Sequence, residues 1–316
     1  AEGFSPVRMK TLLEMAKLES LSDSDMVSQQ KAAMTDKSAP NPSVEAILHA
    51  IIPFKVVDHT HADAIVTISN SKNGLKLIDE LFPKFLIIPY VMPGFILAQK
   101  IHELIQGDFD WANCEGIILH NHGIFTFDDD AKRSYDKMIA AVTVAEDFLE
   151  ENAAVDLDKI EAKDFDVSLL QIDKFMHINQ TPLALNYASQ ENLRRSVTRG
   201  VLTPEHIIRT KRIPLVVEDD DVEDALKHFQ VAYKTYFAAY KTDEVMLDTN
   251  PKYAVVKDFG VVSFGKTQKE ADVINDVVSH TMMAVLRADK LGGYESISIS
   301  DSFDMEYWEL EQAKLK

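Results

Sequence analysis

The sequence predicts a layered α/β fold, and three observations carry that expectation. Helix-spaced apolar patterns and short apolar runs of strand length are interleaved along the chain, the ordering of a layered fold rather than of a bundle or a sandwich. A long helical pattern over residues 131–151 directly follows two short strands. The same strand–turn–strand–helix layout then returns in the C-terminal part of the chain.

The elements follow in order. Residues 7–18 place Val7, Leu12, Leu13, Met15 and Ala16 at helical spacing, and Ser22 with Asp23 offers cap chemistry for a second helix to residue 34. After a polar loop, Asn41-Pro42 reads as a helix start with Asn as cap and Pro at the first position. That helix holds Ser43, Glu45 and His49, and Glu45 and His49, four apart, share a face. Residues 54–61 read as a strand, 62–69 and 75–81 as helices, and 85–88 as a buried strand. A turn over 90–94 leads into an amphipathic helix over 95–105. The strands 116–119 and 124–127 flank His120-Asn121-His122-Gly123. Residues 153–173 are acidic and weakly patterned, and helical pattern resumes over 182–199, so 153–200 is expected to be a helical linker between an N-terminal unit, 1–152, and a C-terminal α/β region, 201–316. Within that region Thr203-Pro204-Glu205 resembles a capping start. It is followed by the basic cluster His206, Arg209, Lys211 and Arg212, and Asp219-Asp220-Asp221 opens a helix to about residue 240.

The repeat aligns residues 115–127 with 252–264. Gly123 falls on Gly260 and Phe127 on Phe264, whereas His122 falls on Phe259 and His120 on Lys257. The second copy keeps the backbone pattern and loses the imidazoles.

Composition narrows the function. The 316 residues carry 33 Lys and Arg against 51 Asp and Glu, a formal charge of −18. Such a chain is a poor partner for the phosphate backbone of nucleic acid or for anionic membrane surfaces. An anionic small substrate would need a local positive centre. The single cysteine, Cys114, excludes an intramolecular disulfide and a thiolate zinc knuckle, which fits a reducing cytoplasm. Apolar runs fall short of a membrane span. The start, Ala1-Glu2-Gly3-Phe4, lacks an initiator Met and a signal pattern, and is expected to be a processed or trimmed front.

His59-Thr60-His61 puts two imidazoles on the same face of a strand, where both can reach one ion. Neutral imidazole suits zinc and similar cations, and a catalytic metal commonly takes three protein ligands and an open position. The third ligand is expected from His122, at a turn that Gly123 lets fold tightly, with His120 in competition. Glu45 adds a carboxylate that can serve as ligand or general base.

Together these residues resemble the class II aldolase/adducin family. The likeness lies in Pro42-Ser43-Val44-Glu45 to His49, Asp58-His59-Thr60-His61-Ala62-Asp63-Ala64, Ile88-Pro89-Tyr90 to Pro93-Gly94, and His120-Asn121-His122-Gly123-Ile124, over roughly residues 40–151. The resemblance implies a three-layer α/β/α fold around a mainly antiparallel sheet, with the C-terminal repeat as a degenerate copy. It implies His59, His61 and His122 as ligands of a divalent metal, zinc above others, and Glu45 as the acid/base. Glu in place of the Asp of the family's epimerases favours aldolase chemistry. The implied reaction is cleavage of a ketose 1-phosphate, such as rhamnulose 1-phosphate, into dihydroxyacetone phosphate and an aldehyde, in a cytoplasmic homo-oligomer of rhamnose metabolism.

A second acid/base is expected from Tyr90. Ser43 and His49 are candidate substrate contacts, and Asp58 or Asp63 is a candidate to orient a ligand imidazole. A narrower resemblance, in residues 201–211 and in Phe303-Asp304 to Lys314, is to the aldolase half of bifunctional rhamnulose-phosphate aldolase/dehydrogenase proteins, which makes a dehydrogenase domain or partner conceivable. No Gly-x-x-x-Gly-x-Gly loop is present, so no dinucleotide binding is expected of this chain. The family's phosphate-binding segment is not recognisable either, which leaves Arg209 and Lys211 as anion-holding candidates or as plain helix-end charges. It also keeps open a non-phosphorylated sugar or sugar acid as substrate. An adducin-like scaffold without catalysis is disfavoured by the three retained histidines.

Overall fold

Two four-stranded sheets with the same strand order organise the computed structural model, which describes residues 4–219 and 221–312. Ala1 to Gly3, Asp220 of the acidic run, and Ala313 and Lys314 of the C-terminal motif lie outside the described residues.

The first half runs α1 (Met9–Met15), α2 (Asp23–Ala33), α3 (Ala46–Ile51), β1 (Val56–Thr60), α4 (Asp63–Ser69), α5 (Gly74–Leu81), β2 (Phe85–Ile88), α6 (Phe95–Leu104), β3 (Gly116–Leu119), β4 (Gly123–Asp128) and α7 (Ala131–Asn152). The second half runs β5 (Phe175–Asn179), α8 (Pro182–Ala188), α9 (Leu193–Val197), α10 (Ile207–Thr210), β6 (Leu215–Val217), α11 (Val222–Tyr240), β7 (Tyr253–Val256), β8 (Gly260–Gly265), α12 (Gln268–Lys290), α13 (Ile299–Glu306) and α14 (Glu309–Gln312).

The first sheet has the order β1-β4-β3-β2, with β1/β4 and β4/β3 antiparallel and β3/β2 parallel. The second has β5-β8-β7-β6 with the same directions. Each sheet is therefore mixed, mainly antiparallel with one parallel edge. Side-chain alternation explains the layering. Ile118 and Ile124 join α4 and α7, while Ile117, Leu119, Phe125 and Phe127 join α3 and α6 on the opposite face. The second sheet repeats the scheme, with Val255 and Val261 toward α8 and α12, and Val256, Val262 and Phe264 toward α11. Val66 of α4 lies in the same cluster as Ile274 and Val278 of α12, so the halves pack together through these helices.

The long helices start where the sequence offers a cap. Asp130 accepts from the Arg133 N–H, Thr267 from Glu270 and Asp221 from Asp224. The repeat is deeper than its strand–turn–strand core: the register places Ile178 opposite Val262 as His59 stands opposite Phe125. The turns match as well, with Asn121 at φ 60° and Asp258 at φ 59°, each before a glycine that opens the next strand.

Three local expectations change. The stretch expected to be a helical linker contributes strand β5, which pairs with β8 and completes the second sheet, and the helix expected over 182–199 is two short ones, α8 and α9. The helix expected from Pro42 begins at Ala46, because the Ser43 hydroxyl accepts from the Glu45 N–H and closes a turn first.

Candidate metal centre

Three segments of the first half and one of the second converge beside the end of β1. His59 sits on β1 directly across from Phe125 of β4, and its ring stacks on that phenyl with centroids 3.9 Å apart. The strand ends at Thr60, yet His61 keeps the i, i+2 relation, and its Nε2 lies 3.0 Å from His59 Nε2. His122 enters from the β3–β4 turn, closed by its N–H donating to the Leu119 carbonyl. Glu45 stands immediately before α3.

The three imidazoles bring ligand nitrogens within 4.8 Å of one another, a donor set able to hold a divalent cation. His59 Nδ1 lies 3.0 Å from the Ile124 carbonyl, so that nitrogen carries the proton and Nε2 presents its lone pair inward. Both ring nitrogens of His122 are buried without a hydrogen-bond partner. Buried polar atoms of this kind need a partner, and a cation among the rings supplies one. The turn is built for close approach: a Cβ on Gly123 would meet the Thr60 carbonyl oxygen at 2.5 Å and the His59 and His61 rings at 3.0 Å.

Two carboxylates flank the trio. Glu45 Oε2 is 3.5 Å from His59 Nε2 and its Oε1 is 3.3 Å from His122 Nε2. Glu205, in the 3-10 turn Pro204–His206, sets Oε1 3.4 Å from His122 Nε2 and Oε2 3.7 Å from His61 Nδ1. Burial alone would raise the Glu45 carboxyl, but the His122 and His59 rings set against its two oxygens outweigh it and hold it at about 2. Burial pushes His59 down to about 3 and lowers His61 too, so both rings are neutral at pH 7, the form that binds metal. At His122 burial works in the same sense, but Glu45 and Glu205 overcome it and the net shift is upward.

Other expected site residues fall at different distances from the trio. Ser43 caps the Glu45 turn. His49, one turn into α3, lies edge-on to Phe125 and is shifted down by burial against the pull of Glu45. The Tyr90 hydroxyl is buried without a partner, and its phenol is raised by burial together with Asp301, Glu205 and Asp304. His120 is not among the three imidazoles whose ring nitrogens converge; His122 is. Neither expected orienting aspartate holds a ligand ring: Asp58 accepts from Ser134 and Asp63 pairs with His280. The Ile124 carbonyl does that work for His59. Arg209 is exposed, and the buried Lys211 donates to the Asp248 carbonyl and lies 3.5 Å above the Tyr233 ring, so these two do not form a joint anion site.

Sequence reasoning missed Glu205. Its only signal was its place in Thr203-Pro204-Glu205, which reads equally as a helix start, and nothing local connects it with histidines more than eighty positions earlier.

Comparison with known proteins follows the division into halves. The family model for the class II aldolase and adducin N-terminal domain matches residues 13–149, and that for the second domain of class II aldolases matches residues 162–315. A Bacillus subtilis (strain 168) protein described as "Uncharacterized oxidoreductase YuxG" is 24% identical over 347 residues, covering 100% of this chain and 50% of the relative, so the chain spans about half the length of that curated relative. A solved structure described as the N-terminal class II aldolase domain of a conserved protein from Thermoplasma acidophilum is 38% identical. It covers 46% of this chain and 66% of its own, with a TM-score of 0.42.

Proposed function

The chain belongs to the class II aldolase family, and from that premise we propose that it is a metal-dependent lyase that cleaves a ketose 1-phosphate such as rhamnulose 1-phosphate into dihydroxyacetone phosphate and an aldehyde. The observation that carries the reading is the trio His59, His61 and His122, with Glu45 against two of its rings. These residues would hold the cation, zinc being the first choice for an all-imidazole set. When bound it would supply Lewis-acid stabilisation of the oxyanion that develops as the C–C bond breaks. Glu45, held ionised, takes or returns the proton at the carbon that becomes the enediol carbon of dihydroxyacetone phosphate. Tyr90 is the candidate proton donor or acceptor for the aldehyde-side hydroxyl, its unpartnered phenol lying in the field of Glu205. A homo-oligomer and a dehydrogenase domain or partner belong to the same proposal.

A second reading, a non-phosphorylated sugar or sugar acid as substrate, draws on the placement of Arg209 and Lys211, one exposed and the other held by Asp248. The test is a panel of phosphorylated and free ketoses assayed for the released three-carbon product. Release of dihydroxyacetone phosphate that stops on chelation and in His61→Ala is expected. Turnover that survives both overturns the metal reading, and turnover of free ketoses alone selects the second.

A further inference from the structure

The second half of this molecule has lost the imidazoles at every position matching the trio: Ile178, Gln180 and Phe259 stand where the first half has His59, His61 and His122. It nevertheless reaches into the first half's centre through one side chain, that of Glu205. We propose that Glu205 is a positioning residue: it accepts from the Nδ1–H of His61 and braces His122, so the degenerate half completes the metal centre of the other half within one chain. This rests on the metal reading above.

The geometry supports each part. His61 turns Nε2 toward His59 Nε2, 3.0 Å away, so Nδ1 is the ring nitrogen left to point elsewhere, and it points at Glu205 Oε2 at 3.7 Å. With Nε2 committed to a cation, Nδ1 must carry the proton, and a carboxylate is the strongest available acceptor for it. Glu205 Oε2 is buried and has no hydrogen-bond donor, which leaves it free to take this one. The other oxygen lies 3.4 Å from His122 Nε2. The Glu205 backbone is fixed by the 3-10 turn, in which His206 N–H donates to Thr203, and by the packing of Val201 and Ile207 against Met305 and Trp308. The carboxylate therefore comes from a preformed support.

The test measures Co²⁺ and Zn²⁺ binding to the full chain by chelator competition, with the Co²⁺ visible spectrum as a second readout, for wild type, Glu205→Ala, Glu205→Gln and the exposed control Glu223→Gln on α11. Glu205→Ala is expected to weaken binding about 10–100-fold and to shift the Co²⁺ bands. Glu205→Gln, isosteric and still able to accept through its amide oxygen, is expected to fall between it and wild type, with Glu223→Gln unchanged. Wild-type affinity and spectrum in both Glu205 variants overturn the proposal and leave the metal reading standing. A wild-type chain that binds neither cation overturns both.

Discussion

At position 123 one methyl group is enough to close the proposed centre. The Cβ of Gly123→Ala would sit 2.5 Å from the Thr60 carbonyl and 3.0 Å from two ligand rings. Backbone cannot yield as a flexible side chain can, so the variant is expected to fold with the β3–β4 turn displaced and to lose at least tenfold in metal affinity, measured by chelator competition. Glu45→Gln separates chemistry from binding. It keeps the side-chain shape but removes the proton acceptor, so kcat is expected to fall about 10²–10⁴-fold with one metal retained per chain. Metal loss in that variant would make Glu45 a ligand instead. The residues of this centre that lie in the first half were legible in the sequence because strand period and turn chemistry are local: His-x-His implies a shared face, and His-Gly implies a tight turn. Glu205 was not legible, since its role depends on the packing of one half on the other.

At the level of elements, β4 both builds the sheet and backs the site. Phe125 is fully buried, stacks on His59 and meets His49 edge-on. Phe125→Ala is expected to cost about 3–5 kcal/mol, read as a lowered denaturation midpoint, and to loosen His59 enough to weaken metal binding. Unchanged metal affinity in the destabilised variant would show that the stack is only a core contact. The same level shows where sequence reading stops. Strand β5 hid in the expected linker because it is a five-residue edge strand with one exposed apolar position, Ile178, and its pairing partner β8 lies some eighty residues away. The start of α3 shifted because Ser43 competes for the backbone that Pro42 would otherwise have committed to helix.

Over the whole molecule, the repeated strand order was visible in only one of its pieces, the strand–turn–strand core, because that piece alone is contiguous in sequence. Among the described residues no helix is long and apolar enough to cross a membrane. The charge of −18 acquires a sharper meaning: two of its carboxylates, Glu45 and Glu205, flank the trio, a setting that favours a bound cation. A ligand held by first-half imidazoles and braced from the second half should stabilise the two together. Free metal at about 100 times its Kd adds roughly 2.7 kcal/mol to stability, and chelation should lower the thermal midpoint correspondingly in wild type but not in His122→Ala.

The most direct measurement is elemental analysis of the purified chain, in wild type and with His61→Ala or His122→Ala. One divalent metal per chain in wild type and almost none in either variant is the predicted result. Wild type without stoichiometric metal after loading and desalting, or variants that retain it, would contradict the assignment of the trio as a metal centre.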